Sequence, residues 1–306
     1  MSAEHSVVPE IPFIQDHQFR YGEIETVAPG IRRLTARNAG PFTYHGTGTY
    51  IVGQGEVAVI DPGPDYPNHI DTLVSSLSSE TISHILVTHC HRDHSPGARL
   101  LQAACDAPTY AFGPHAGGIE HDDSAIEEGV DTLFTPDNPI THGEYLTVGD
   151  CEIECIHTPG HTSNHMCFSV AKQDSLFSGD HVMAWASTMI SPPDGDLGAF
   201  RRSCAQLQQR RERLYLPGHG DAIEDGPARL HWLLAHRQER ESQIISHLQG
   251  QPNTAQGLAE AIYTDIDPRL IHAATRNVLA HLIDLCERNL ATCQGLIDLQ
   301  AKYSVI

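Results

Sequence analysis

The sequence has no long apolar run, no Cys-x-x-Cys pair and little positive charge. Without a long apolar run, its 306 residues hold no candidate for a membrane span. Residues 1–5 are polar and acidic, whereas a secretory signal peptide begins basic and then becomes apolar. The eight cysteines include no Cys-x-x-Cys pair, which predicts reduced, buried thiols. We therefore expect a cytoplasmic protein with no membrane segment.

Positive charge is scarce, since 19 Lys and Arg stand against 39 Asp and Glu, for a formal net charge of −20. Residues 229–306 are almost neutral, with 7 basic and 8 acidic residues, so the acidic excess lies in residues 1–228. Such a surface repels polyanions, which favours a small-molecule substrate over nucleic acid. Residues 200–213 are the exception, because they predict a helix with five arginines. A solvated face that balances nearby carboxylates is favoured there over an anion-binding role.

Histidine is abundant, with 21 residues, and three histidines stand together in the segment Thr-His-Cys-His-Arg-Asp-His at 88–94. This segment directly follows the apolar run 82–87. Imidazole nitrogens and carboxylate oxygens are ligands that zinc and similar divalent metals accept. At this spacing, a tight loop can direct two groups at one ion and two at another. The segment therefore predicts a metal site, in preference to a histidine-rich surface loop.

Three further candidate ligands, His161, Asp180 and His219, each follow a short apolar run and a glycine. The pattern in each place is a strand, then a turn-forming residue, then the ligand. Strand ends of one sheet lie close together, so four such loops can converge on one spot.

The ordered pattern His-x-His-x-Asp-His, then His, Asp and His, resembles the metal-binding pattern of the metallo-β-lactamase superfamily. The resemblance implies an α/β fold, the αββα sandwich, and two Zn²⁺ ions per chain. Histidine and carboxylate donors without thiolate also accept iron or manganese. The division of the ligands, likewise implied by the resemblance, is His89, His91 and His161 at one metal, Asp93, His94 and His219 at the other, and Asp180 between them.

Other residues near this pattern are predicted to orient the metal ligands or to pack beside them. Asp61 ends a predicted buried strand, where it could accept a hydrogen bond from a ligand histidine or fix the metal loop. His165 and His157 are expected to be structural or to orient ligands. Cys90 lies between two ligands in an extended loop, so its side chain should point away from the metals and pack. The loops 38–48 and 181–200 are expected beside the site.

Beyond His219 the sequence predicts helices at 229–248, 254–262 and 268–289 and a small hairpin within 295–305. This arrangement is winged-helix-like, so we expect a catalytic domain at 1–228 and a helical domain at 229–306. Because the tail is nearly neutral, a role in forming a homodimer or a lid is favoured over nucleic-acid binding. The tail, the Gly-x-x-Thr-Tyr motif at 46–50 and Pro-Gly-His-Gly at 217–220 resemble the subgroup around β-lactamase-like protein 2, although Gly48 and Cys90 differ from it.

The predicted activity is metal-dependent hydrolysis of a small-molecule thioester, ester or lactone. Two cations can share a water and lower its pKa, so that the resulting hydroxide attacks a carbonyl or phosphoryl centre while Asp93 orients it. The alternatives are a single-strand-specific endoribonuclease, which the subgroup resemblance implies, hydrolysis of β-lactams, and a non-enzymatic metal-bound scaffold. The substrate-binding residues are not predicted.

Overall fold

The computed structural model describes residues 13–15, 19–115 and 129–306. The sequence also predicts an extended arm at 1–20, from Pro9 and Pro12, and a polar surface loop at 113–129 that includes His121, and both lie largely outside these residues. Among the helices of the described residues, none combines the length and the apolar character needed to cross a membrane.

Two β-sheets form the centre of the molecule. The first sheet has seven strands in chain order, antiparallel from β1 to β4 and parallel from β4 to β7. Its strands are β1 (Glu25–Ala28), β2 (Ile31–Thr35), β3 (Gly48–Gln54), β4 (Glu56–Ile60), β5 (Thr81–Leu86), β6 (Thr109–Ala111) and β7 (Asn138–Pro139). The second sheet has the order β12-β11-β10-β9-β8. Its strands are β8 (Tyr145–Val148), β9 (Cys151–His157), β10 (Met166–Val170), β11 (Ser175–Gly179) and β12 (Leu214–Pro217).

The two sheets pack face to face. Successive residues of each strand point to opposite sides of its sheet, so one set of side chains faces the other sheet and the other set faces outward. In β4, Ala58 and Ile60 join the core between the sheets, whereas Val57 and Val59 join the core on the outer face. The side chains of β10 alternate in the same way, and that of Phe168 lies between the sheets. A strand that is buried on both faces needs a cover on its outer side.

Helices cover both outer faces. Helices α1 (Pro67–Ser76) and α2 (Gly97–Cys105) pack on the first sheet, and α3 (Leu197–Leu207) and the start of α4 (Gly226–Gly250) pack on the second. The predicted αββα sandwich is therefore confirmed. The predicted helix at 200–213 is wrong in its bounds, since α3 ends at Leu207 and Arg210 to Arg213 lie beyond it.

The carboxyl-terminal segment contains α5 (Ala255–Ile262), α6 (Ile271–Glu287) and the hairpin β13 (Ala291–Gln294) with β14 (Lys302–Val305). The three predicted helices and the hairpin are present, but the first strand of the hairpin precedes Gly295 instead of following it. Helix α4 contributes Leu233 to the core under the second sheet and Leu248 to the core of this segment. The division into domains at residue 228 stays a prediction.

Candidate metal centre

The predicted ligands lie at four chain positions that meet at one end of the two sheets. Residues 88–94 follow β5, His161 lies between β9 and β10, Asp180 follows β11 and His219 follows β12. All seven side chains are buried, namely those of His89, His91, Asp93, His94, His161, Asp180 and His219. Groups that are far apart in sequence are thus brought together by the strand order.

One cluster consists of three imidazoles. The Nδ1 atom of His91 lies 3.0 Å from Nε2 of His89 and 3.1 Å from Nε2 of His161. Metal–nitrogen bonds of about 2.0–2.1 Å in tetrahedral geometry place neighbouring ligand atoms about 3.3–3.4 Å apart. The three nitrogens are therefore spaced much as ligands of a common ion would be.

A second cluster contains Asp93, His94 and His219. The Nε2 atom of His219 lies 3.0 Å from Oδ2 of Asp93 and 3.3 Å from Nε2 of His94. Asp93 Oδ2 is also 3.3 Å from Nε2 of His94. This cluster joins two nitrogens and a carboxylate oxygen, a donor set that suits zinc, iron or manganese.

Asp180 lies between the two clusters. Its Oδ2 is 3.3 Å from Nε2 of His219 and 3.9 Å from Nε2 of His161, while its Oδ1 is 3.6 Å from Nε2 of His94. Within the described part of the chain, this Oδ1 is buried and has no hydrogen-bond partner. A buried carboxylate oxygen without a partner is costly, and a cation would satisfy it. The residues present therefore fit a metal site.

The outward nitrogens of three ligands are anchored by hydrogen bonds. Nδ1 of His94 lies 2.9 Å from Oδ2 of Asp61, Nδ1 of His161 lies 2.8 Å from the Met189 carbonyl, and Nδ1 of His219 lies 3.3 Å from the Gly46 carbonyl. Such bonds place the proton on Nδ1 and leave Nε2 directed at the site.

Of the three residues predicted to support the ligands, Asp61 and His165 contact them. Asp61 accepts hydrogen bonds from the backbone N–H and the hydroxyl of Thr88, at 2.8 and 2.7 Å, and so fixes the start of the metal loop. His165 accepts a hydrogen bond from the Asp180 backbone N–H at 3.3 Å, and its Nδ1 bonds to Thr158. His157 lies away from the clusters, stacked on Phe112 at 3.9 Å.

Cys90 points away from the ligands, as its place in the loop predicts. It is almost fully buried in the core under α1 and α2, and it accepts a hydrogen bond from Asn164 at 2.9 Å. Burial raises the pKa of the Cys90 thiol to about 12, so the thiol is protonated.

The charges of the two clusters differ. Burial and the neighbouring imidazoles lower the pKa of His89 well below its usual value. Burial also opposes protonation of His94 and His219, but the carboxylates of Asp93 and Asp180 outweigh it, raising the pKa of His94 well above its usual value and that of His219 to about 10. The same ion pairs keep the pKa of both carboxyls low against the effect of burial. The cluster of Asp93, His94 and His219, together with Asp180, therefore favours bound positive charge.

A cavity of about 160 Å³ opens onto the ligands and has mainly apolar walls. The loop 38–48 contributes Phe42, and the loop after Asp180 contributes Met183, Trp185 and Met189, so both loops that were predicted to lie beside the site do so. The carboxyl-terminal segment adds Leu270. The cavity thus suits an uncharged, apolar group.

Sequence reasoning missed two features of the site. Leu270 and Asn277 line the cavity from the carboxyl-terminal segment, although no motif marks them. Asp131 accepts hydrogen bonds from Ser95 at 2.9 Å and Arg99 at 2.8 Å, and its backbone N–H donates to the Cys90 carbonyl. It braces the metal loop from a distant part of the chain, which only the fold reveals.

Comparison with known proteins gives two family matches. The model of the metallo-beta-lactamase superfamily matches residues 44–219, and that of the beta-lactamase associated winged helix domain matches residues 254–296. An atrochrysone carboxyl ACP thioesterase from Aspergillus terreus is 31% identical over 76% of this chain and 68% of its own length. The relative AgnL7 from Paecilomyces divaricatus, of the same description, is 28% identical over 87% of this chain and 76% of its own length.

Solved structures share the fold. A beta-lactamase domain protein from Burkholderia ambifaria has a TM-score of 0.79 at 19% identity and covers 95% of this chain and 96% of its own. A metallo-beta-lactamase family protein from Thermus thermophilus has a TM-score of 0.75 at 23% identity, covering 92% of this chain and 100% of its own. At these identities, the likeness concerns the fold, including the winged-helix segment.

Proposed function

Since the chain belongs to the metallo-beta-lactamase superfamily and is a hydrolase of that superfamily, we propose that it cleaves thioesters with two zinc ions bound. The observation that carries the proposal is the buried carboxylate of Asp180 between a cluster of three imidazoles and a cluster that includes a second carboxylate. Placement in the β-lactamase-like protein 2 subgroup, a cytoplasmic location and a homodimer stay predictions.

The ligand set proposed for the metals is the one that the two clusters suggest. His89, His91 and His161 would hold one ion, Asp93, His94 and His219 would hold the other, and Asp180 lies where it could serve both. Such cations polarise a carbonyl and bring the pKa of a water molecule towards neutrality. Nitrogen and oxygen donors without a thiolate support zinc and leave iron and manganese as alternatives.

Residues of the chain orient the attacking water and enclose the reacting groups. In the metal-free site, ion pairs with His94 and His219 keep the pKa of the Asp93 carboxyl low against the effect of burial, and a cation bound beside it would likewise favour the ionised form. The Asp93 carboxylate accepts a hydrogen bond from the attacking water and so orients it. The walls of Phe42 and Trp185 exclude bulk water and bind the apolar part of the substrate.

A thioester is favoured as the substrate for two reasons. Its reacting carbonyl is uncharged, in keeping with the apolar cavity and the net charge of −20. The two relatives with the cited identities are named atrochrysone carboxyl ACP thioesterases. We propose that this chain likewise takes an acyl group linked through sulfur to a carrier.

Three of the five arginines at 200–213 are paired with carboxylates, which weakens the endoribonuclease alternative. Arg201 pairs with Glu241 and Asp284, the latter at 2.8 Å. Arg210 pairs with Glu154 at 2.7 Å, and Arg213 and Asp225 likewise form an ion pair. These three arginines balance nearby carboxylates. An RNA backbone would have to displace those partners in order to bind them.

A substrate panel tests the proposal. Thioesters with apolar acyl groups should be hydrolysed, and a chelator should stop the reaction until zinc is restored. Thioester turnover should change little with salt, whereas cleavage of a short RNA by the same preparation would weaken steeply. Metal-dependent cleavage of RNA without thioester turnover would contradict the proposal, as would turnover of lactones or β-lactams alone.

Replacing Asp93 tests its orienting role. We expect Asp93→Ala to lower kcat by about 10²–10⁴-fold, the range for a group that handles a proton in the reaction. Asp93→Asn, which keeps the size of the side chain and loses its charge, should show a similar loss. Circular dichroism should show an unchanged fold in both variants. Near-normal turnover of either variant would refute the role.

A further inference from the structure

The orientation of His161 depends on a short loop that follows Asp180. The Met189 carbonyl accepts the hydrogen bond from Nδ1 of His161 at 2.8 Å. A carbonyl in this position determines which way the imidazole ring faces and therefore where its Nε2 lies.

Helices α4 and α6 hold the residues on both sides of Met189. Arg237 of α4 donates a hydrogen bond to the Thr188 carbonyl. Asn277 of α6 accepts a hydrogen bond from the Ile190 backbone N–H through its Oδ1, at 3.1 Å. The same Oδ1 accepts from Arg237 at 3.1 Å, so the two side chains act as one clamp on the loop.

Burying the charged side chain of Arg237 in this place is unfavourable in free energy. Only 3% of it is exposed, and none of the described carboxylates forms an ion pair with it within salt-bridge distance. Burial lowers the pKa of its guanidinium to about 10. Its contacts are the Thr188 carbonyl, the Asn277 amide and, at 5.5 Å, the ring of Phe200. A buried cation held by backbone and amide oxygens is suited to fixing a loop.

We infer that Arg237 and Asn277 are positioning residues for His161, so that the carboxyl-terminal helices complete the metal centre. The clamp fixes residues 188–190, these fix the Met189 carbonyl, and the carbonyl fixes the imidazole. The inference rests on the proposed function in one respect, which is that His161 is a metal ligand. It gives the carboxyl-terminal segment a task other than dimerisation.

Zinc affinity of the full-length holoprotein tests this inference. Competition with a chelator should show that Asn277→Leu, which removes the Oδ1 acceptor, binds one of its two zinc ions about 10–100-fold more weakly, the usual cost of losing an orienting partner. The other zinc should be held as in the unsubstituted protein. Asn277→Asp keeps an oxygen acceptor at the same place and should retain both ions.

Val278→Ala is the matched control. Val278 is the next residue of α6 and is fully buried in the core of the carboxyl-terminal segment. Shortening it should lower the melting temperature and leave both zinc affinities unchanged. If Asn277→Leu does not fold, Asn277→Ala is measured by the same criteria.

Two results would overturn the inference. One is an Asn277→Leu or Asn277→Ala protein that holds both zinc ions as tightly as the unsubstituted chain. The other is an equal loss of zinc affinity in Val278→Ala, which would indicate general destabilisation. An unsubstituted chain that binds fewer than two zinc ions would instead contradict the proposed function, so the two failures are distinguishable.

Discussion

Asp180→Ala should lose both metals and at least about 10³-fold in kcat/KM. Its two carboxylate oxygens lie 3.3 Å from His219, 3.6 Å from His94 and 3.9 Å from His161, so its removal weakens both clusters at once. Metal catalysis contributes several kcal/mol to lowering the barrier, and about 1.4 kcal/mol corresponds to a tenfold change in rate. Elemental analysis and thioester turnover of the purified variant measure both effects.

Asp150→Ala is the control for this experiment. Asp150 is exposed in the turn between β8 and β9, far from the ligands in the fold, so its loss should change neither metal content nor turnover. An Asp180→Ala protein that keeps two metals and most of its activity would show that Asp180 is no shared ligand.

Gly218→Ala should disable the site by adding one methyl group. A Cβ at Gly218 would lie 2.5 Å from Oδ1 of Asp180 and 2.6 Å from Cε1 of His94, which is closer than such atoms approach. The backbone at Gly218 has little freedom to retreat, because its N–H donates to the Gly179 carbonyl and its carbonyl accepts from Gly48. The ligands must therefore move, and a displacement of about 1 Å costs about 10²-fold in rate.

Gly250→Ala provides the matched substitution. Gly250 ends α4, and an added Cβ there meets nothing within 4 Å. This variant should keep full activity and metal content, whereas Gly218→Ala should lose metal in chelator competition and lose turnover with it. Unchanged turnover of Gly218→Ala would mean that the two buried ligands are not held as the structure shows.

The ligand positions could be predicted because metal chemistry restricts residue type and spacing. Asp93 and His94 stand in one short loop, and His161, Asp180 and His219 each follow an apolar strand and a glycine. The αββα layers were implied by the resemblance to the metallo-β-lactamase superfamily, which rests on the same residues. These signals are local in sequence, so they can be read without coordinates.

The rest of the site depends on contacts that leave no local signal. The acceptor for His161 is the backbone carbonyl of Met189, and any residue type could supply it. Asn277 and Leu270 come from a segment whose sequence indicates only helix, and their place beside the cavity depends on how α4 and α6 pack. The end of α3 was also predicted wrongly. The composition beyond Leu207, including Arg210, still favours a helix, although the helix ends at Leu207.

Counting the metal ions bound per chain tests the central claim most directly. The chain is stripped with a chelator, returned to metal-free buffer and titrated with zinc while the heat of binding is recorded. We predict a plateau at two equivalents of zinc, with thioester turnover restored as both sites fill. A plateau at one equivalent or below would contradict a centre in which seven side chains hold two cations.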